Sequence, residues 1–183
     1  ALAAYQGRIS VNAPQTLGSS LIASKDVQLD GDLFALPTGQ LDVALATKNS
    51  YLHGLVDNGG TANLYLQNGA AWLNEGRNAR YYQDNEDIGA GALTDVAGKK
   101  IYVGRSRVTN FYGGTTEATR GIIYQKDSDA MTLDNYSGHT AAIYQHDAAT
   151  PTTFKGGDIV IGKAVGTENV FTLFTDANGV TAA

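Results

Sequence analysis

Ile123-Tyr124-Gln125-Lys126-Asp127 returns as Ile143-Tyr144-Gln145-His146-Asp147, and this echo decides the reading of the fold. The copies lie 20 residues apart (123 to 143). A second echo runs through the same region. Phe111-Tyr112-Gly113-Gly114 is answered by Asn135-Tyr136-Ser137-Gly138 and then by Phe154-Lys155-Gly156-Gly157, at offsets of 24 (111 to 135) and 19 (135 to 154). A period near 20 in short apolar runs is the mark of repeat architecture, in which each unit buries its apolar face against the units above and below it. About 20 residues at roughly 3.3 Å each make a circuit of three short strands with turns. This predicts an all-β chain built as a parallel β-helix, a solenoid. A β-sandwich is the alternative, because short strands at close spacing look similar in one sequence. A leucine-rich repeat is excluded by the missing Leu scaffold.

Outward from this segment the same alternation continues. Val27-Gln28-Leu29-Asp30, Leu41-Asp42-Val43-Ala44-Leu45, Asn63-Leu64-Tyr65-Leu66-Gln67, Arg107-Val108-Thr109-Asn110-Phe111-Tyr112, Asp158-Ile159-Val160-Ile161 and Val170-Phe171-Thr172-Leu173-Phe174 read as strands separated by Gly, Asn, Asp and Ser breaks. Asn68-Gly69 between apolar runs marks a turn. Ala70 to Tyr82 is the one stretch with room for a helical turn or two. Residues 84–98, opening on Asp84-Asn85-Glu86-Asp87 and then Gly- and Ala-rich, read as a loop extruded from the regular body.

Composition narrows the function classes. The 183 residues suffice for one domain, and 43% hydrophobic content argues against disorder. Gly is frequent at 22 residues and Pro scarce at 3, which suits many tight turns and not a Pro-rich linker. The net charge of −5, with the 13 Lys and Arg scattered, lacks the basic patch of a nucleic-acid binder. With no Cys there is no disulfide framework and no thiolate ligand or nucleophile. No apolar run is long enough for a membrane helix, and Ala1-Leu2-Ala3-Ala4-Tyr5 has no signal-peptide character. The chain reads as a single domain over residues 1–183, excised from something longer.

Catalytic, cofactor and metal motifs are missing, so no catalytic residue, cofactor site or metal ligand is assigned. His53, His139 and His146 have no metal spacing, and Gly18-Ser19-Ser20 lacks the second Gly of a nucleophile elbow. Asp127 and Asp147, aligned by the repeat, would form a carboxylate ladder if they served chemistry; as residues following strands they also serve turns. Asp176-Ala177-Asn178-Gly179 resembles the start of a calcium loop without its distal acid and reads as a turn. The ten Tyr are the other candidates. The repeat stacks Tyr124 on Tyr144 and sets Tyr136 with Tyr112, either as an aromatic ladder or as a stripe contacting a sugar or protein partner.

The β-run, Gly-rich turn and β-run of Leu64-Tyr65-Leu66-Gln67-Asn68-Gly69-Ala70-Ala71-Trp72, of Thr153-Phe154-Lys155-Gly156-Gly157-Asp158-Ile159-Val160-Ile161 and of the segment from Val170 to Gly179 resembles the passenger region of bacterial autotransporters, the type V secretion proteins. The resemblance spans about residues 20–180 and carries no catalytic signature. It implies a right-handed parallel β-helix, exported through the periplasm and displayed at the bacterial cell surface or released outside it. It further implies an adhesin- or haemagglutinin-like role, with any membrane barrel outside this chain. The expectation is a non-enzymatic structural and adhesive segment. Its partner would be a host or bacterial surface ligand, protein or glycan, contacted through Tyr124, Tyr144 and Tyr136. The alternative is a carbohydrate-active β-helix, a polysaccharide lyase or hydrolase using stacked carboxylates.

Overall fold

The computed structural model describes residues 1–19, 25–76, 105–146 and 154–176. Among them the chain is all-β, apart from a single 3-10 turn at Glu117–Thr119. Fourteen strands form two sheets. The first holds β1 (Leu2–Val11), β3 (Leu33–Leu45), β5 (Val56–Asn58), β6 (Thr61–Leu66), β8 (Arg107–Tyr112), β10 (Met131–Ser137) and β13 (Ile159–Ala164). The second holds β2 (Gln28–Asp30), β4 (Tyr51–His53), β7 (Ala71–Asn74), β9 (Gly121–Gln125), β11 (His139–His146), β12 (Phe154–Lys155) and β14 (Val170–Asp176). Pairing is parallel throughout except between β11 and β12. Strand order in space follows chain order, and the chain passes from one sheet to the other and back. Parallel neighbours cannot be joined by tight hairpins, and here the other sheet fills each connection.

The core lies between the sheets. Leu41, Val43 and Leu45 on β3, Ala62, Leu64 and Leu66 on β6, and Phe111 and Tyr136 on β8 and β10 face Leu52, Trp72, Ile123 and Ala142 from the second sheet. Trp72 is completely buried and donates from its indole N–H to the Gly54 carbonyl at 2.9 Å. The large ring is answered along its row by small Ala142, with Ile123 between them. On β8 and β10 the alternation slips. Val108 and Phe111 both face inward three residues apart, as do Leu133 and Tyr136. Each of these strands therefore has two inward-facing arms. On β3 the same division shows as two partners, β5 along Leu33–Ala35 and β6 along Gln40–Leu45.

One expected detail is corrected. Ala71–Asn74 is a strand, not a helical turn; its neighbours β4 and β9 supply ladder bonds, and Trp72 and Asn74 alternate inward. The Asn68-Gly69 turn is present, with φ of 54° and 77° and a hydrogen bond from Ala70 N–H to Gln67 O at 3.0 Å. It joins β6 and β7, which lie in different sheets, so it turns a corner and does not close a hairpin. The expected loop at 84–98 lies outside the described residues.

Candidate functional site

The expected tyrosine stack is out of register by one residue. Tyr124 lies beside Ile143, and Tyr144 beside Gln125. Neighbouring positions on a strand face opposite ways, so the two rings belong to different faces. Tyr124 is 4% exposed and borders a groove on the outer face of the second sheet. Tyr144 is partly exposed and donates its hydroxyl to Gly157 O at 3.0 Å. Tyr136 pairs with Phe111, not with Tyr112. It is 2% exposed, stacks on Phe111 at 5.7 Å and meets Phe171 edge-on at 5.4 Å. Its single hydroxyl proton is shared between Val170 O at 2.6 Å and Gly138 O at 2.9 Å, and burial pushes its pKa up to about 12. Phe154 lies in the second sheet, so it is no counterpart of Phe111 in the first.

The groove beside Tyr124 has a volume of about 430 Å³ and is floored by Tyr51, His53 and Leu73. Asp30, His53, Leu73 and Tyr124 follow one another across four strands in one row. His53 Nε2 lies 3.0 Å from Glu75 Oε2, and Lys126 Nζ lies 3.6 Å from the same oxygen. The His53 hydrogen bond, aided by the Lys126 charge and opposed by burial, holds the Glu75 carboxyl below its ordinary range. These charges satisfy one another, so the groove offers a mixed surface and not an isolated acid or base.

A second cleft, of about 550 Å³, opens where the strands of the first sheet end. Its floor is the Tyr65–Tyr112 pair, stacked at 4.4 Å with 24° between the planes. Gly18 N–H donates to the Tyr65 hydroxyl at 2.6 Å, tying the segment after β1 across the sheet. Burial pushes both phenols up, so they stay neutral beyond the ordinary tyrosine range. Among the described residues the lining contains hydroxyls and carboxamides, Thr47, Gln67, Asn68, Thr115, Thr119 and Ser137 among them, and no Asp, Glu, Lys, Arg or His. Sequence reading missed this site, because its two rings come from strands 47 residues apart (65 to 112).

The carboxylates do not assemble a centre among the described residues. Burial pushes the Asp127 carboxyl up, offset by hydrogen bonds from the Asp129 and Gly76 N–H groups. Asp147 and residues 177–179 lie outside the described residues. Among the described residues no group of three or more His, Asp or Glu is placed to hold a metal ion.

Comparison with protein-family models, with curated proteins and with solved structures finds no match to this chain.

Proposed function

We propose that the chain is a stretch of right-handed parallel β-helix from a bacterial surface protein of autotransporter-passenger type, serving as a non-enzymatic adhesive scaffold displayed outside the cell. The observation that carries this reading is the order of the strands. Among the described residues the chain passes between the two sheets, and strands within each sheet pair in parallel except at β11 and β12, as the coils of a β-helix would. The two arms of the first sheet and the strand of the second give three short runs per circuit. Right-handedness is the rule for parallel crossover connections. In such a stack stability accrues coil by coil, which suits a long rod that holds surface depressions away from the cell.

Adhesion is tested by coating beads with the folded chain and measuring their retention on host-cell and bacterial layers under flow. Beads carrying the acid-unfolded chain are the control. The same preparation is incubated with a polysaccharide panel and assayed for released reducing ends. Retention by the folded chain without sugar release supports the reading. Release of reducing ends or unsaturated sugars contradicts it and favours a lyase or hydrolase.

A further inference from the structure

Ala44, Tyr65, Tyr112 and Ser137 are register partners on four adjacent strands, β3, β6, β8 and β10. They form one row on the outer face of the first sheet. Strands in a sheet are spaced about 4.7–4.9 Å apart, and the Tyr65 and Tyr112 rings stack at 4.4 Å. The ring planes therefore lie across the stacking direction, one ring per strand. The next position holds Ser137, whose small side chain turns back to bond Phe111 O at 3.4 Å. The aromatic stack stops one ring short, and the cleft opens at that place.

We propose that this cleft binds a neutral carbohydrate, with a pyranose ring seated over Ser137 and stacked on the Tyr112 face turned toward it. The C–H face of a sugar ring is apolar and slightly positive at its hydrogens, which suits the negative face of a phenol ring. The rim matches the hydroxyls of such a ring. Gln67 donates its amide to Gly113 O at 2.8 Å and Asn68 donates to Ala46 O at 3.0 Å. Both carboxamides are thereby held with their carbonyl oxygens left to accept. Thr115 supplies a hydroxyl that can donate and accept, 3.5 Å from Thr119 Oγ1, which is itself held by the Thr116 N–H at 3.0 Å and the Thr116 carbonyl at 3.2 Å. With these groups fixed by the fold, little side-chain freedom is lost on binding.

Charge decides against the other small ligands. Among the described residues no ionisable side chain lines the cleft, so an acidic or basic ligand would lose hydration there without gaining a counter-charge from them. A flat aromatic ligand would fill the stacking slot but leave the polar rim unpaired, which costs more than the bonds contribute. The proposal deepens the adhesive reading and rests on it for where the sugar is met. The chemistry of the cleft stands by itself.

The test uses the full chain on an array of neutral, sialylated, sulfated and uronate-containing oligosaccharides, with bound sugars then titrated by calorimetry. The expected result is saturable binding of neutral sugars, insensitive to salt because no ion pair is screened. Tyr112→Ala weakens it about tenfold, the upper range of one aromatic stacking contact. Tyr112→Phe keeps it. Ser137→Phe fills the slot and abolishes it, with circular dichroism unchanged. If Tyr112→Ala does not fold, Ser137→Phe and Tyr112→Phe decide. Binding restricted to acidic sugars, binding of peptides in place of sugars, no binding by the folded chain, or binding that survives Ser137→Phe each overturns the proposal. Bead retention with an empty array overturns the cleft and leaves the adhesive reading in place. Sugar binding without retention supports the cleft and counts against adhesion.

Discussion

The Asn63 carboxamide donates to Oδ1 of Asp42 at 2.7 Å, and this contact begins a line of amides that crosses four strands. Asp42 is completely buried on the outer side of β3, where Gln40 and Arg8 also reach it. An ionised carboxylate only accepts, so Asn63 must turn its Nδ2 toward it. That leaves Asn63 Oδ1 to accept from Asn110 Nδ2 at 2.8 Å, and Asn110 Oδ1 to accept from Asn135 Nδ2 at 3.2 Å. Every amide dipole points the same way, and each bond polarises the next. A second polar run closes another corner. Val56 N–H donates to Ser106 Oγ, Ser106 Oγ to Asn74 Oδ1, Asn74 Nδ2 to Gln125 Oε1, and Gln125 Nε2 to Gly157 O.

The ladder predicts a graded response. Asn63→Leu removes a donor from buried Asp42 and strands the amide of Asn110. It should cost about 2–3 kcal/mol, the range for leaving a buried or charged partner unsatisfied. Asn135→Leu removes the last rung together with the bond to Thr109 O at 3.1 Å, touches no carboxylate, and should cost about 1 kcal/mol. Urea unfolding of the two variants checks the order. Equal losses would mean that the carboxylate does not anchor the line.

These residues also show how much was legible in the sequence. The strands at Asn63–Leu66, Arg107–Tyr112 and Ile159–Ile161 and the corner at Asn68-Gly69 could be read from alternation and turn chemistry. Register could not. Matching Ile123-Tyr124-Gln125 to Ile143-Tyr144-Gln145 aligns identical letters, but the stack places Ile123 beside Ala142. Small Ala142 takes the inner place in the row of Trp72 and Ile123, and a slip of one residue would send Ile143 inward in its stead. Phe111 likewise pairs with Tyr136, not with Asn135. The informative signal was a triplet. Asn63-Leu64-Tyr65, Asn110-Phe111-Tyr112 and Asn135-Tyr136-Ser137 each give an amide rung, an inward apolar residue and an outward residue, and they pair in that order. Unequal spacing hid it, at 47 residues and then 25. The cleft depends on the third position of these triplets, so it stayed hidden with them.

Tyr136 predicts a pH dependence. Its pKa rises from 10 to about 12 because burial disfavours the phenolate. A pKa raised on folding contributes stability that is fully present below pH 10 and is lost as pH climbs through about 12, because the unfolded chain ionises first. Tyr136→Phe gives up the bonds to Val170 O and Gly138 O and should lose about 1 kcal/mol at pH 8. Above pH 10 the gap between the two proteins should narrow. Denaturant titrations at pH 8, 10 and 11.5 measure it, and a gap that widens with pH would be the wrong sign.

The corner after β6 predicts a backbone effect. Gly69 has φ of 77°, and its N–H donates to Arg120 O at 3.0 Å while Asn68 N–H donates to Thr119 O at 2.7 Å. Gly69→Ala places a Cβ in the left-handed region and should cost about 1–2 kcal/mol. The cost should appear as a lower melting temperature with an unchanged far-ultraviolet spectrum. A variant as stable as the parent would show that the corner relaxes freely.

The central claim is a parallel stack with the register seen here, and paired cysteines test it most directly. The sequence has no Cys, so an introduced pair meets no competitor. Ile122 and Ala141 are register partners, within the roughly 4.4–6.8 Å Cα separation that a disulfide spans. Ala142, one residue on, faces the core. On mild oxidation of the folded protein, Ile122→Cys with Ala141→Cys should close a disulfide rapidly, while Ile122→Cys with Ala142→Cys should stay reduced. Closure of the second pair in preference to the first, or of neither, would contradict the account.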